Sequence, residues 1–306
     1  MNRVLLVNPW IYDFKAYDFW MKPLGLLYVS AYLRNAGYRI DFIDCLDRYH
    51  PLYLKKASKL PVVDQFGRGK FYSQEIEKPE IYQKIPRKYK RYGIPPEILN
   101  EILDNTHKPD WICVTSIMSY LYPGVVAVIK IFKDHFPNTP IILGGIYATL
   151  CYNHAQQFSG ADFVITGRAE NNLNRIFPEL KSTSFQYLPY PAFDLYSKLD
   201  YACIITSQGC PFACSYCAVT NLTPDFIYRD THSVINEIEY YQSISVKNIA
   251  FYDDALLANP NFLTILNEII KRNIKLNFHT PNGLHPRFLT KEIADKMFIA
   301  GLRQSI

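Results

Sequence analysis

Short apolar runs alternate with helix-length amphipathic runs through most of this chain, and that alternation limits its fold more than any other feature. Residues 3–7, 39–43, 111–116, 141–143 and 163–165 read as strands, and residues 23–36, 124–136, 148–158 and 170–180 as helices. Gly37 follows the first helix, where a residue that tolerates a left-handed backbone is favoured. Strands joined through helices predict a Rossmann-like, doubly wound parallel sheet in an α/β fold, with ligands bound at the carboxyl ends of its strands. Residues 46–108 break the rhythm. They are polar, rich in Tyr and Lys and punctuated by Pro51, Pro61, Pro79, Pro86, Pro95 and Pro96, so they are expected to form an insertion with one helix at 96–105. Residues 182–200 read as an aromatic-rich linker. A second α/β run follows, with strands at 201–207, 248–253, 275–280 and 302–306 and helices at 231–244, 260–272 and 290–300.

Composition narrows the possibilities. The 306 residues are 49% hydrophobic, enough for about two domains with large cores. A formal charge of +5 does not by itself imply nucleic acid. No apolar stretch reaches the ~18 residues of a membrane span. Asn8 and Pro9 end the apolar start too early for a signal peptide. Seven cysteines with no export signal predict a reducing, cytoplasmic setting, where clustered thiols serve metals or redox chemistry rather than disulfides.

Three of those cysteines fall within eight residues: Cys210-Pro-Phe-Ala-Cys214-Ser-Tyr-Cys217, directly after an apolar strand ending in Gly209. Buried packing thiols, a disulfide and a zinc site all compete for this run. A loop containing Gly and Pro is a poor place for three packing thiols, and zinc wants a fourth ligand, the next candidate being His232, fifteen residues on. Three thiolates can instead hold three irons of a [4Fe–4S] cluster and leave the fourth open to a small molecule.

The C-x3-C-x-aromatic-C pattern after Ser207-Gln208-Gly209 resembles the radical S-adenosylmethionine (SAM) superfamily. The resemblance implies that Cys210, Cys214 and Cys217 ligate the cluster and that the open iron chelates SAM, whose reductive cleavage gives a 5′-deoxyadenosyl radical. Tyr216 takes the family's aromatic position, with its backbone near the adenine. Ile249–Asp254 resembles the second barrel strand of the family, with Asn259 following. Asp253 and Asp254 are therefore candidates for SAM or substrate contacts, an alternative being that they cap the helix after Pro260. Asn282, in an Asn-Gly pair after the third strand, is a candidate for the SAM ribose. The family barrel usually has six strands, and this chain ends near its fourth, so a partial (β/α) barrel is expected.

The first half resembles the cobalamin-binding domain that often precedes such a barrel, through Val4–Pro9, Pro23-Leu24-Gly25, Gly37-Tyr38 and Ile142-Leu143-Gly144-Gly145 with Ala148-Thr149. Gly144 and Gly145, lacking a Cβ, would let the backbone approach a flat macrocycle, and Ser116, Met118 and Thr149 would line the same crevice. The Asp-x-His-x-x-Gly motif that supplies an axial histidine to cobalt is absent. Ile146-Tyr147 and Gly167-Arg168-Ala169-Glu170 also depart from what relatives often carry. The implied organisation is a cobalamin-type domain over 1–181 with the 46–108 insertion, a linker over 182–200, and a radical SAM domain over 201–306.

Lys84, Arg87, Lys88, Lys90 and Arg91 are interleaved with Tyr89 and Tyr92, and read as a solvated surface segment rather than a nucleic-acid grip. His154 is expected to pack or lie at the surface, and Cys45, Cys113, Cys151 and Cys203 to be buried core thiols. The expected function is that of a radical SAM enzyme, with cobalamin-dependent methyl transfer as one outcome, a small-molecule or unknown substrate, and flavodoxin or ferredoxin as electron donor. Alternatives are a methylthiotransferase-like RNA-modifying enzyme and a non-catalytic iron–sulfur or zinc module.

Overall fold

A computed structural model describes residues 2–57, 59–181 and 184–302. The first half runs β1 (Arg3–Asn8), β2 (Ile11–Asp13), α1 (Leu24–Asn35), β3 (Arg39–Asp44), α2 (Pro51–Lys56), β4 (Ser73–Glu75), β5 (Lys90–Tyr92), α3 (Pro96–Asp104), β6 (Trp111–Val114), α4 (Tyr122–His135), β7 (Ile141–Leu143), α5 (Ile146–Leu150), α6 (Tyr152–Phe158), β8 (Phe163–Val164) and α7 (Ala169–Asn172). The second half runs β9 (Ala202–Ile204), β10 (Ser207–Gln208), α8 (Val219–Leu222), β11 (Ile227–Tyr228), α9 (Thr231–Ser243), β12 (Asn248–Phe251), α10 (Phe262–Lys271), β13 (Asn277–His279) and α11 (Lys291–Ala300).

Five parallel strands form the first sheet, in the order β3-β1-β6-β7-β8. The interior strand β1 is buried on both faces, as expected of a parallel sheet. Val4 and Leu6 point to a core shared with Leu26, Val29 and Leu33 of α1, whereas Leu5 and Val7 point to one shared with Leu99, Val128 and Phe132. The strand order reverses between β1 and β6, which opens a crevice beyond their carboxyl ends.

The second sheet is parallel, in the order β13-β12-β9. Its outer face (Ile204, Ile249, Phe251 and Phe278) packs in one core with Ile235 and Ile238 of α9 and Phe262 and Ile265 of α10. Its inner face carries the row Cys203–Ala250–His279, which are direct lateral neighbours in the register. Two segments of the first half cover that row. Trp20 stacks on the His279 ring at 4.4 Å and its carbonyl accepts from the Cys203 thiol, while Phe66 meets His279 edge-on at 5.0 Å. Burial pushes the Cys203 thiol pKa up to about 12, so it stays protonated. Trp20 adopts φ +63°, unusual for a bulky residue, and is held there from several sides. Its indole N–H donates to the Phe66 carbonyl, the Asp18 carboxylate accepts from the Met21 N–H, and the Tyr252 hydroxyl, on the inner sheet face, accepts from the Lys22 N–H at 3.1 Å.

Several expectations are corrected. Residues 46–108 hold more than the one helix expected at 96–105, which forms as Pro96–Asp104. β4 and β5 join β2 in an antiparallel sheet, α2 precedes them, and the 64–68 turn covers the barrel strands. The basic run is likewise not simply solvated: Lys90 and Arg91 lie in β5, and Arg91 is buried and bonds Gln74. Of the expected linker over 182–200, the described residues 184–200 are packed rather than linker-like, since Phe193 is fully buried and Tyr196 donates to Asp44 at 2.6 Å. The helix expected over 148–158 breaks at Cys151, whose backbone leaves the helical region, and that thiol is half-buried rather than core. The helix expected over 170–180 is one four-residue turn followed by a tighter one at Leu173–Arg175. Leu302 bridges Phe278 in parallel, and the rest of the expected 302–306 strand lies outside the described residues.

Candidate functional site

The cysteine loop begins at Gly209, whose φ of +84° and whose missing Cβ, which would stand 2.4 Å from the Asp225 carbonyl oxygen, both demand glycine. β10, immediately before it, pairs antiparallel with β11. Beyond Gly209 the loop is open: Cys214 and Cys217 are exposed, Cys210 is half-buried, and Tyr216 is 91% exposed. The Cys217 N–H donates to the Cys214 carbonyl in a tight turn, and α8 follows. All three thiols are free. Among the described residues no three Cys, His, Asp or Glu side chains converge as a site for a single metal ion. A cluster takes one thiolate per iron, so its ligands need not converge on a point, and three free thiols on one open loop fit that donor set.

Asp253 and Asp254, at the carboxyl end of β12, have different roles. Asp253 is buried, and its carboxylate accepts from the backbone N–H and hydroxyl of both Thr206 and Ser207, at 2.5–3.1 Å. Burial raises its pKa and these donors oppose the rise. It therefore fixes the β9–β10 junction from which the cysteine loop springs. Asp254 accepts from the Gly209 N–H at 3.1 Å and borders the large cavity described next. Neither caps α10, whose N-cap position is Asn261. The Asn259 amide donates to the Thr206 hydroxyl at 3.0 Å, bracing the same junction. The Asn282 amide donates to the carbonyls of Tyr252 and Asp253 at 3.1 and 3.3 Å, tying the β13 loop to β12.

A cavity of about 380 Å³ lies between the strand ends of the two halves. The first sheet contributes Thr115, Gly144, Gly145, Thr149 and Gly167; the barrel side contributes Gln208, Tyr252 and Asp254, closed by Leu222 and Thr223 after the cysteine loop. One arm runs between the sheet face at Cys113 and Ile142 and the α1 side chains Leu26 and Val29. A Cβ on Gly144 would meet nothing within 4 Å, so the backbone there borders open space. Gly145, at φ +91°, is pressed against Ser116, where a Cβ would stand 2.4 Å from the carbonyl oxygen. The Thr149 hydroxyl joins the rim, donating to the Gly145 carbonyl and accepting from the Gly167 N–H, each at 2.9 Å. Glycine backbone on one wall and an apolar arm behind it fit a flat macrocycle with a nucleotide tail. Two expected lining residues do not border this cavity. Ser116 is buried, its hydroxyl donating to the Gly144 carbonyl and accepting from the Tyr147 N–H, and so shapes the glycine turn from behind; Met118 lies at the surface, 40% exposed. His154 is exposed and its Nδ1 lies 2.7 Å from the Tyr147 hydroxyl.

Sequence reasoning missed Tyr252, Gln208 and Thr223. Tyr252 was within reach, because it shares the inner-face parity of Ala250 and directly precedes the acidic pair. Thr223 carried no signal, since it comes to the cavity only through the turn of α8.

Comparison with known proteins agrees with this architecture. The radical SAM superfamily model matches residues 204–304, and the B12 binding domain model matches residues 91–177. The chain thus carries a radical SAM domain with a B12-binding domain ahead of it. The cofactors of these two domain types are a [4Fe–4S] cluster, SAM and cobalamin. The radical SAM methyltransferase TsrM from Kitasatospora setae, with tryptophan and a SAM analogue bound, superposes with a TM-score of 0.67 at 15% identity, covering 99% of this chain and 58% of that one. TsrM with cobalamin and a [4Fe–4S] cluster bound gives 0.61 at 14% identity, covering 99% and 60%. The anaerobic magnesium-protoporphyrin IX monomethyl ester cyclase of Rubrivivax gelatinosus is 21% identical over 213 residues, 55% of this chain and 38% of the cyclase. The cyclase of Cereibacter sphaeroides is 20% identical over 210 residues, 55% and 34%. The chain thus spans little more than a third of these cyclases and under two thirds of TsrM.

Proposed function

We propose that this protein is a cobalamin-dependent radical SAM enzyme that transfers a methyl group to a small-molecule substrate. The observation that carries this reading is the shared cavity bordered by Gly144, Gly145 and Thr149 on one side and by Gln208, Tyr252 and Asp254 on the other. A macrocycle on the glycine wall would face a ligand held beside the cysteine loop. Cys210, Cys214 and Cys217 would hold the cluster, and the backbone around Tyr216, with Asn282 and Asp254 nearby, would orient SAM. When bound, the cluster supplies the electron for cleaving SAM and cobalamin supplies a carrier for the methyl group. The protein's own part is placement: Asp253 fixes the strand junction, Asp254 holds Gly209, and Thr149 joins the glycine turn to the Gly167 loop. The apolar arm, with Leu26, Val29 and Ile142, excludes water. An acidic one-electron donor of the flavodoxin or ferredoxin kind would reduce the cluster, in a reducing compartment consistent with seven free cysteines. No helix among the described residues is long and apolar enough to cross a membrane.

The test is anaerobic reconstitution with iron, sulfide and cobalamin, followed by addition of reductant and SAM. The expected result is bound iron, a cobalamin absorbance that stays with the protein on gel filtration, and conversion of SAM to 5′-deoxyadenosine or S-adenosylhomocysteine. Iron uptake without cobalamin retention would sink the cobalamin half of the reading; no iron uptake would sink all of it.

A further inference from the structure

We propose that His285, Arg287 and Phe288, on the loop after β13, are positioning residues that clamp the cysteine loop through Phe212. The inference rests on the reading of the three cysteines as cluster ligands. Around Phe212 the loop is open: Pro211, Ala213, Cys214, Ser215, Tyr216 and Cys217 are all exposed, whereas Phe212 is half-buried. Its ring stacks on the His285 imidazole at 4.6 Å and 25°, leans on Phe288 at 5.8 Å, and lies 5.4 Å beneath the Arg287 guanidinium. The imidazole is itself fixed in rotation. Its Nδ1 accepts from the Arg287 N–H at 3.3 Å, and its ring meets Phe288 edge-on at 5.9 Å.

This clamp acts at an informative place. Phe212 stands midway between Cys210 and Cys214, so holding its ring restrains the backbone that spaces two of the three thiols. The base of the loop is held separately by Asp254, which accepts from the Gly209 N–H. Two anchors, one from β12 and one from the loop after β13, thus restrain a segment that has few internal bonds. Offset aromatic stacking and a cation over a ring face supply the second anchor without any hydrogen bond to the loop. Its contribution is to keep the thiols near the spacing a cluster requires and to slow their escape from iron.

The experiment uses the full chain, reconstituted anaerobically, as wild type, Phe212→Ala, His285→Ala and His285→Phe. The readout is the rate at which an iron chelator bleaches the sulfur-to-iron charge-transfer absorbance, with circular dichroism melts of the iron-free proteins to verify equal folding. The alanine variants are expected to lose iron roughly three- to ten-fold faster than wild type, the range of a lost aromatic pair. His285→Phe keeps a stacking ring and is expected to match wild type. Equal bleaching by wild type and His285→Ala overturns the clamp, as does His285→Phe failing like His285→Ala. Those outcomes leave the cluster assignment intact, whereas a wild type that takes up no iron removes the cluster and the clamp together.

Discussion

Gly144 and Gly145 are neighbours with opposite constraints. Gly145 is required by the fold, because its backbone is left-handed and Ser116 fills the space a Cβ would need. Gly144 has no such restriction, so any side chain placed there projects into open space beside the cavity. Gly144→Leu is therefore expected to melt within about 1 kcal/mol of wild type, the usual range for a substitution that meets no atoms, yet to fail to retain cobalamin on gel filtration. Gly145→Ala is expected to lower stability itself. Retention of cobalamin by Gly144→Leu would show that the macrocycle does not lie on that wall. The glycine pair was legible in the sequence as a strand-end feature, and the cysteines as a ligand set. Ser116 was legible only as a nearby residue: that its hydroxyl braces the turn from behind, between the Gly144 carbonyl and the Tyr147 N–H, depends on packing that no local pattern records.

Among the elements, strands with two buried faces were the easiest to read. β1, β6, β7 and β12 are nearly continuous apolar runs, and their parallel pairing follows from the helices between them. β2, β4 and β5 were missed because they are three-residue strands of mixed polarity whose partners lie far along the chain. The turn at 64–68 has a role only visible in three dimensions: with Trp20 it covers the inner row Cys203–Ala250–His279. Trp20→Ala would remove the stack on His279 and the bond to the Phe66 carbonyl, at a cost of about 3–5 kcal/mol, typical of a truncated buried Trp. Urea titration of the purified variant checks this. A loss below about 1 kcal/mol, the range of ordinary surface substitutions, would mean that the barrel strands hold their inner face without help.

At the scale of the whole molecule the two halves share one core. Trp20, Leu24, Leu27, Tyr28 and Tyr32 belong to the same cluster as Ile204, Ile249 and Phe278. Polar contacts cross the same boundary: Arg48, paired with Asp18 at 2.9 Å within the first half, lies 3.5 Å from Asp200, and the Tyr201 hydroxyl donates to Asp18 at 2.6 Å. Unfolding is accordingly expected to be a single transition. Trp10 and Trp111 lie within the first half and Trp20 at its contact with the barrel strands, so tryptophan fluorescence follows the first half and that contact, while circular dichroism follows both halves. The two signals should coincide in denaturant; separate midpoints would show the halves melting apart. The cover that Trp20 and Phe66 form over the later strands also bears on synthesis. Asp18 and its partner Tyr201 are 183 positions apart, and domains generally take shape from the amino end as they leave the ribosome. The early half can thus serve as a template, and each later strand, on emerging, meets an aromatic surface on which to lay its inner face.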